Sequence, residues 1–578
     1  MSKTTKFFKH PILFFSDARK KKLAAQNKSI PPETSPETKK TEQIPVTKML
    51  PPASALSVLT AKAAHPSGEK KVTQHKAAAQ PKTTMILRSQ SFYLEKILDL
   101  KRAKAVNLLK YKNYNLWPAL RSELMIQCDI AWKRNIQNEI AFNPYQSQLC
   151  RPSNVPFERG SDLASNFDCF SYLDDMKEEN TDFLFFSNLN STDQVEVGGE
   201  IYNRLVDPLY ECAKKIGATK KIEIIKAASP AIDKIRNYHN IPVCIIPPYV
   251  YKYGFSEAVQ WPKKFLQTLR EKIPFIAFNE ERVNSFFDWH LHMLEFYRDL
   301  LSKFNPKVVF FHPFYYYTPL IAAARERGIK TVDIQHGVMV GYNSVFYDNW
   351  QETPQSGYQA LPDYFLVWSE LEERHLAQVF SHVTGGFTHR ALVSGYPWLD
   401  YSVALDKREK SRLRKIRKFV ESGKKSILVT LQRDSFIPKN ITAIITTSGE
   451  EVRWIIRRHP KGNEFNSPVK KLKNVIFGND VDAVELRDLF KMVDYNFTDG
   501  SSTVLEADYF GVYSFVYGNE GHTNYKDLID AGCVGLISDA LTKYEELNLD
   551  GECRDAKIGY FKSVDTATLL KKILASSA

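Results

Sequence analysis

Several things are scarce in this 578-residue sequence. Its seven cysteines (128, 150, 169, 212, 244, 533 and 553) are scattered, odd in number and form no CxxC pair. A disulfide framework and a structural zinc site are thereby excluded, and reduced thiols in a cytoplasm are expected. No run reaches the roughly 18–20 apolar residues of a membrane span, and the N-terminus has no cleavable signal pattern. There is no P-loop lysine, no Gly-x-Gly-x-x-Gly fingerprint and no Gly-x-Ser-x-Gly elbow, which removes most ATPase, dehydrogenase and esterase readings. Residues 24–85 contain no aromatic residue and no periodicity, only Pro, Ser, Thr, Ala and Lys in excess. This stretch reads as a disordered linker. The formal charge of +13 is concentrated in the first hundred residues and at 404–425, so a nucleic-acid partner is not expected.

What is present begins with residues 1–23, where Phe7, Phe8, Ile12, Leu13, Phe14 and Phe15 interleave with seven lysines and arginines. Large aromatics beside cations suit an anionic membrane surface, the rings at headgroup level and the cations on lipid phosphates. Order is expected from about residue 86. Strands are expected at Phe183–Phe186, Val243–Ile246, Val308–Phe311, Thr331–Ile334 and Tyr364–Trp368. Helices are expected at Tyr93–Leu109, Leu116–Ile140, Ile201–Ile216, Val283–Leu301 and Leu320–Arg327. After a basic helix at Asp406–Glu421 a second alternation follows. Its strands are Ser426–Thr430, Trp454–Ile456, Val475–Phe477, Tyr495–Phe497 and Tyr513–Val516. Its helices fall near Ile441–Ser448, Ala483–Lys491, Thr503–Phe510 and Tyr525–Ala531, and a last helix, Ala567–Ala575, is placed to cross back. Apolar strands alternating with amphipathic helices form parallel sheets covered on both faces. The expected fold is therefore α/β, with two Rossmann-like doubly wound domains, 86–400 and 401–578, facing a ligand cleft.

Three constellations carry chemistry. Strand-turn-helix at Tyr495–Val512 aims free N–H groups at one point, a site for a phosphate. Gly500 allows close backbone approach, Ser501 and Ser502 add hydroxyls, and Glu506 lies one turn on, placed for ribose hydroxyls. Asp499 is expected to cap the turn. Val332–Gly337 is a buried strand ending in His336, a candidate general base at the cleft. Gly337 lets a ligand approach, and His312, ending the preceding strand, is a second candidate. Ile456–Lys461 ends a strand with Arg458 and Lys461 to neutralise phosphate, while Pro460 fixes the loop after His459. Asp480-Val481-Asp482 has metal-binding spacing, but Asp482 reads as the N-cap of the helix behind it. No divalent metal or other cofactor is expected.

IQHG at 334–337, RRHP at 457–460 and FTDGSSTVLEA at 497–507 together resemble bacterial surface-polysaccharide transferases of the GT-B fold. These are the capsule and O-antigen glycosyltransferases and the related CDP-glycerol glycerophosphotransferases. KHPILFFSDA at 9–18 resembles a basic aromatic segment preceding such enzymes. The resemblance runs from about 86 to 560, and the order of three short motifs carries it. It implies that His459-Pro460 contacts a cytidine nucleotide, Ser501-Ser502 its phosphate and Glu506 the ribose. The acidic motif of the similar sialyltransferases is missing from the first domain, which argues against a carboxylate base and leaves His336 in that role.

The expected function is transfer of a sugar from a cytidine- or uridine-nucleotide donor to a polysaccharide or lipid-linked acceptor. The enzyme would be cytoplasmic and peripheral on the inner face of the bacterial membrane. Polyol-phosphate transfer, nucleotide-sugar epimerisation and a non-catalytic membrane-bound scaffold are the alternatives.

Overall fold

The computed structural model describes residues 109–111, 114–133, 140–141, 170–187, 193–224, 232–245, 263–272, 276–277, 280–337, 347, 350, 353–432, 435–460, 462–547, 549 and 557–576. All lie in the compact unit Ser54–Ala578; the other unit, Met1–Ala53, has no described residue. The membrane-associating segment, the linker and the Tyr93–Leu109 helix thus fall outside the described residues, Leu109 apart. No described helix is long and apolar enough to cross a membrane.

The first half contributes strands β1 (Phe170–Ser171), β2 (Phe183–Phe186), β3 (Gln194–Val197), β4 (Glu200–Asn203), β5 (Thr219–Ile224), β6 (Val243–Ile245), β7 (Val308–Phe311), β8 (Lys330–Ile334), β9 (Tyr364–Val367) and β10 (Arg390–Val393). Its helices are α1 (Trp117–Lys133), α2 (Asp207–Lys214), α3 (Lys263–Lys272), α4 (Glu280–Phe304), α5 (Thr318–Glu326) and α6 (Glu370–Val379). Eight strands pair in parallel in the order β10-β9-β8-β7-β2-β5-β6-β1. All four residues of β2 and of β7 are buried, as a sheet covered on both faces requires. Leu184, Phe186, Val309 and Phe311 pack under α1, α4 and α5, while Phe183, Phe185, Val308 and Phe310 face the opposite layer.

The second half contributes α7 (Lys407–Glu421), β11 (Lys425–Thr430), α8 (Lys439–Thr447), β12 (Val452–Arg457), β13 (Val475–Phe477), α9 (Asn479–Asp482), α10 (Leu486–Phe490), β14 (Tyr495–Thr498), α11 (Thr503–Tyr509), β15 (Tyr513–Val516), α12 (Gly518–Asn524), α13 (Lys526–Asp530), β16 (Gly535–Leu536) and α14 (Thr566–Ala575). Its parallel sheet runs β13-β12-β11-β14-β15-β16. Numbered within that half the order is 3-2-1-4-5-6, that of nucleotide-binding α/β sheets. The doubly wound expectation therefore holds in both halves.

The chain crosses between the halves twice. Helix α14 returns to pack on α2: Leu569, Leu570 and Ile573 share one apolar cluster with Phe183, Val206 and Leu209. The same cluster holds Val504, Leu505 and Leu528, so the halves share core. The two crossings touch at Gly395 (φ +63°), where an added Cβ would lie 1.9 Å from the Lys562 carbonyl oxygen. No side chain fits there.

Three elements differ from expectation. The helix over Ile201–Ile216 is a hairpin followed by a shorter helix, because Gly198 and Gly199, at φ +65° and +84°, form the tight turn joining β3 to β4. Asn203 Oδ1 then accepts from the N–H groups of Leu205 and Val206 at 3.0 and 3.1 Å and starts α2. Strand β5 was hidden by Lys221 and Glu223, both buried; Lys221 Nζ pairs with Asp207 at 2.8 Å. The helix expected over Ala483–Lys491 shrinks to the five-residue α10, because Glu485, extended and accepting from Trp398 Nε1 at 3.0 Å, stands just before it; α9 ends ahead of the expected range.

Candidate functional site

In open parallel sheets a ligand binds beyond the carboxyl ends of the strands where the strand order reverses. In the second half that point lies between β11 and β14, ending at Thr430 and Thr498. Thr498 Oγ1 donates to the Thr430 carbonyl at 3.1 Å, and the Thr430 and Thr503 hydroxyls lie 3.1 Å apart. The turn that sequence reading singled out sits here. Ser501 Oγ accepts from Thr503 N–H at 3.3 Å, and the Ser501 carbonyl accepts from Tyr525 Oη at 2.6 Å. Ser502 stands at the N-cap of α11 but its hydroxyl makes no cap bond, so it is available to a ligand. Helix α11 has only seven residues.

Two members of the turn also meet α12. Asp499 accepts from Gly521 N–H at 2.8 Å and so pins α12. At Gly500 an added Cβ would meet the Glu520 side chain at 2.5 Å and Asn524 Nδ2 at 2.7 Å. The close approach that demands glycine is thus made by α12.

The neighbouring loop, after β12, carries Arg458, His459 and Pro460; Lys461 lies outside the described residues. Asp482 holds Arg458 by two bonds, from its backbone N–H at 2.8 Å and its Nε at 2.7 Å. Asp482 is therefore no N-cap but an anchor that fixes the guanidinium and offsets part of its charge. Asp480 is paired with Lys415 at 2.6 Å, so both carboxylates of the metal-like spacing are engaged by cations. The His459 carbonyl accepts from Gly462 N–H at 2.7 Å, closing a tight turn. Against it packs the loop after β11, where Ser435 Oγ donates to the Asn463 carbonyl at 2.7 Å. Ser435 sits at φ +55°, a conformation costly for a side chain and concentrated at functional sites. Next to it Phe436 is 60% exposed, an aromatic face at the switch point. Sequence reading passed over both, which lie five and six residues beyond the end of β11.

In the first half the order reverses between β2 and β7, which places His312 there and His336 one strand away. His312 is buried, and among the described residues neither ring nitrogen has a hydrogen-bond partner. Burial pushes its pKa down to about 4. His336 is half-buried, with the hydroxyls of Tyr315 and Tyr347 each 3.4 Å from a ring nitrogen. Burial first, then the neighbouring His312, lowers its pKa to about 4, while Asp193 acts the other way. Its imidazole is therefore neutral near pH 7 and can accept a proton. An added Cβ on Gly337 would meet nothing within 4 Å among the described residues.

Charges link the two edges. Burial works against the Arg204 charge, but Tyr396, Glu485, Glu506 and Asp193 outweigh it and hold the guanidinium protonated. Burial raises the Glu506 carboxyl, and Arg204 opposes the rise. Asp193 acts on both His336 and Arg204, and Arg204 on Glu506. Among the described residues no hydrogen bond joins His336 directly to Ser501 or Ser502.

A buried hub sets the His336 turn. Gln335 Nε2 donates to the Gly337 carbonyl at 2.7 Å and to Glu372 Oε1 at 2.6 Å, and Gln335 Oε1 accepts from Trp368 N–H at 2.6 Å. Tyr560, on the returning crossing, donates its hydroxyl to the same Glu372 oxygen. Ser369 Oγ and Trp368 N–H donate to Glu372 Oε2 at 3.3 and 3.2 Å. Nothing local in the sequence marks Glu372 or Tyr560.

No protein-family model matches this chain, and no curated protein sequence matches it. Among solved structures, UDP-GlcNAc 2-epimerase from Neisseria meningitidis bound to UDP-GlcNAc is similar at 14% identity, covering 69% of this chain and 100% of that one, with a TM-score of 0.42. UDP-GlcNAc 2-epimerase from Methanocaldococcus jannaschii is similar at 14% identity over 69% of this chain and 99% of that one, TM-score 0.42. The glycosyltransferase SnogD from Streptomyces nogalater is similar at 14% identity over 69% of this chain and 96% of that one, TM-score 0.35.

Proposed function

We propose that the chain is a glycosyltransferase that moves a sugar from a cytidine- or uridine-nucleotide donor to a bacterial surface-polysaccharide acceptor. The observation that carries this reading is the 3-2-1-4-5-6 order of the second sheet, with Ser501 and Ser502 at its switch point and Arg458 and His459 on the adjoining strand end. A sheet of that order without a glycine-rich fingerprint suits a mononucleotide. The hydroxyls of Ser501 and Ser502, with Arg458 fixed by Asp482, hold the leaving phosphates and stabilise charge as the bond breaks. Glu506 accepts from ribose hydroxyls, and Phe436 offers a face for the base. The acceptor hydroxyl attacks the anomeric carbon, its proton passes to His336, and the electron pair of the broken C–O bond leaves with the phosphate. Residues 1–23 hold the enzyme at the inner membrane face, near a lipid-linked acceptor.

A thermal-shift panel of CMP, CDP, UDP and GDP tests the donor site. A pyrimidine nucleotide should raise the melting temperature, the Ser501→Ala/Ser502→Ala variant should lose that shift, and His336→Ala should keep it while losing turnover. A preference for GDP, or full activity in correctly folded His336→Ala, would overturn the assignment. Conversion of the donor's sugar without any acceptor would instead establish epimerisation.

A further inference from the structure

Helix α7 has a feature that the transfer reaction does not use. Its sequence, KREKSRLRKIRKFVE, places eight cations in fifteen residues. The Asp406/Glu409 capping box starts it, Glu409 also accepts from Gly198 N–H at 2.9 Å, and Ile416 is fully buried. At 100° per residue, Lys407, Lys410, Arg414 and Lys418 fall on the side opposite Ile416, with Arg417 beside them. All five are exposed and, among the described residues, none has an ion-pair partner. Lys415 and Arg412, nearer the body, share Asp480 at 2.6 and 3.9 Å. Glu421 is the only exposed acid on the helix.

Like charges four residues apart, as at Lys410, Arg414 and Lys418, weaken a helix rather than stabilise it. Ordinary protein surfaces intersperse the two signs. A repulsive row without internal compensation gains only from an external anion. The row runs about 16 Å from Lys407 to Lys418, on the side of the helix away from the buried Ile416. A single polyanion chain is gripped in a groove; a protruding row fits a plane. No large apolar residue is exposed on the helix, so the contact is electrostatic without insertion.

We propose that the outer face of α7 docks on an anionic lipid surface, a second contact beyond residues 1–23. This extends the membrane setting of the proposed function and is independent of the transfer chemistry. The test is co-sedimentation of the full chain with phosphatidylcholine vesicles, with and without phosphatidylglycerol, at several salt concentrations. Each cation near such a surface contributes about fivefold in affinity. Lys410→Glu/Arg414→Glu/Lys418→Glu should therefore weaken binding to the anionic vesicles by about 100-fold and flatten its salt dependence. The melting temperature and turnover on a soluble acceptor should stay unchanged. The same comparison in a full chain with Phe7, Phe8, Phe14 and Phe15 changed to Ser keeps the α7 contribution visible if the N-terminal contact dominates. Equal vesicle binding by the triple variant in both backgrounds overturns the proposal. So does a loss confined to soluble dextran sulfate, which would make the row a polyanion site. Loss of turnover on the soluble acceptor with vesicle binding intact would overturn the docking face and place the row in the transfer site, leaving the transferase reading standing.

Discussion

The buried hub around Glu372 makes a demanding prediction. Its carboxylate is fully buried and takes donors from Gln335 and Tyr560 on one oxygen and from Trp368 N–H and Ser369 on the other. Tyr560→Phe removes one charge-assisted hydrogen bond and leaves a gap the size of one oxygen, a loss of about 2 kcal/mol. Glu372→Gln sets an amide N–H₂ against either the Gln335 N–H₂ or the Trp368 N–H, both of which can only donate, and should cost about 3 kcal/mol or more. The double variant should cost less than the sum by about 1 kcal/mol or more, since the pair acts on one oxygen. Urea unfolding of the full chain, followed by tryptophan fluorescence, reads these values. Trp368 reports locally, its ring centroid 4.9 Å from Tyr396 and 5.4 Å from Phe561. A Tyr560→Phe cost below about 0.5 kcal/mol, or strict additivity, would refute the hub. Because Gln335 fixes the Gly337 carbonyl, Tyr560→Phe should also lower kcat with KM little changed.

Two other expectations concern buried charge. Lys221→Met strands the buried Asp207 carboxylate with, among the described residues, Asn203 N–H at 2.6 Å and Asn240 Nδ2 at 3.3 Å as its remaining donors; it should cost about 3–5 kcal/mol, with Lys221→Met/Asp207→Leu recovering much of the loss. Denaturant midpoints decide it, and a neutral single variant would show that the pair contributes nothing. His312 has its pKa lowered from 6.5 to about 4, so the unfolded chain takes up this proton first as pH falls. The stability it contributes is complete above pH 6.5 and is lost between there and about 4, amounting to about 3 kcal/mol. Unfolding of His312→Gln should lose that much less stability between pH 7 and 4; an unchanged acid slope would refute it.

How far the sequence disclosed this molecule depended on whether the forces were local. The β14–α11 unit was readable because four buried strand residues run into a Gly-Ser-Ser turn and an apolar helix. The return of α14 was readable too, as an apolar-faced helix after the last strand. Strand β5 was not, because Lys221 and Glu223 mimic a surface and only their burial beside Asp207 explains them. The β3–β4 hairpin lay under a helical periodicity, although Gly198-Gly199 marked it. His336 stood out by its place at a strand end, and His312 less so. Its position at the reversal of strand order is a property of the whole sheet. Glu372 and Tyr560 lie 188 residues apart, and no window of sequence could join them.

The contact between Gly395 and the Lys562 carbonyl has a mechanical meaning. Two segments of one chain, running in opposite senses between the halves, meet there backbone to backbone, and a side chain at position 395 would push the returning segment outward. Tyr560 stands two residues from Lys562 and donates to Glu372, which in turn accepts from Gln335. A substitution at Gly395 would therefore reach the Gly337 carbonyl, and with it the His336 turn, without touching either.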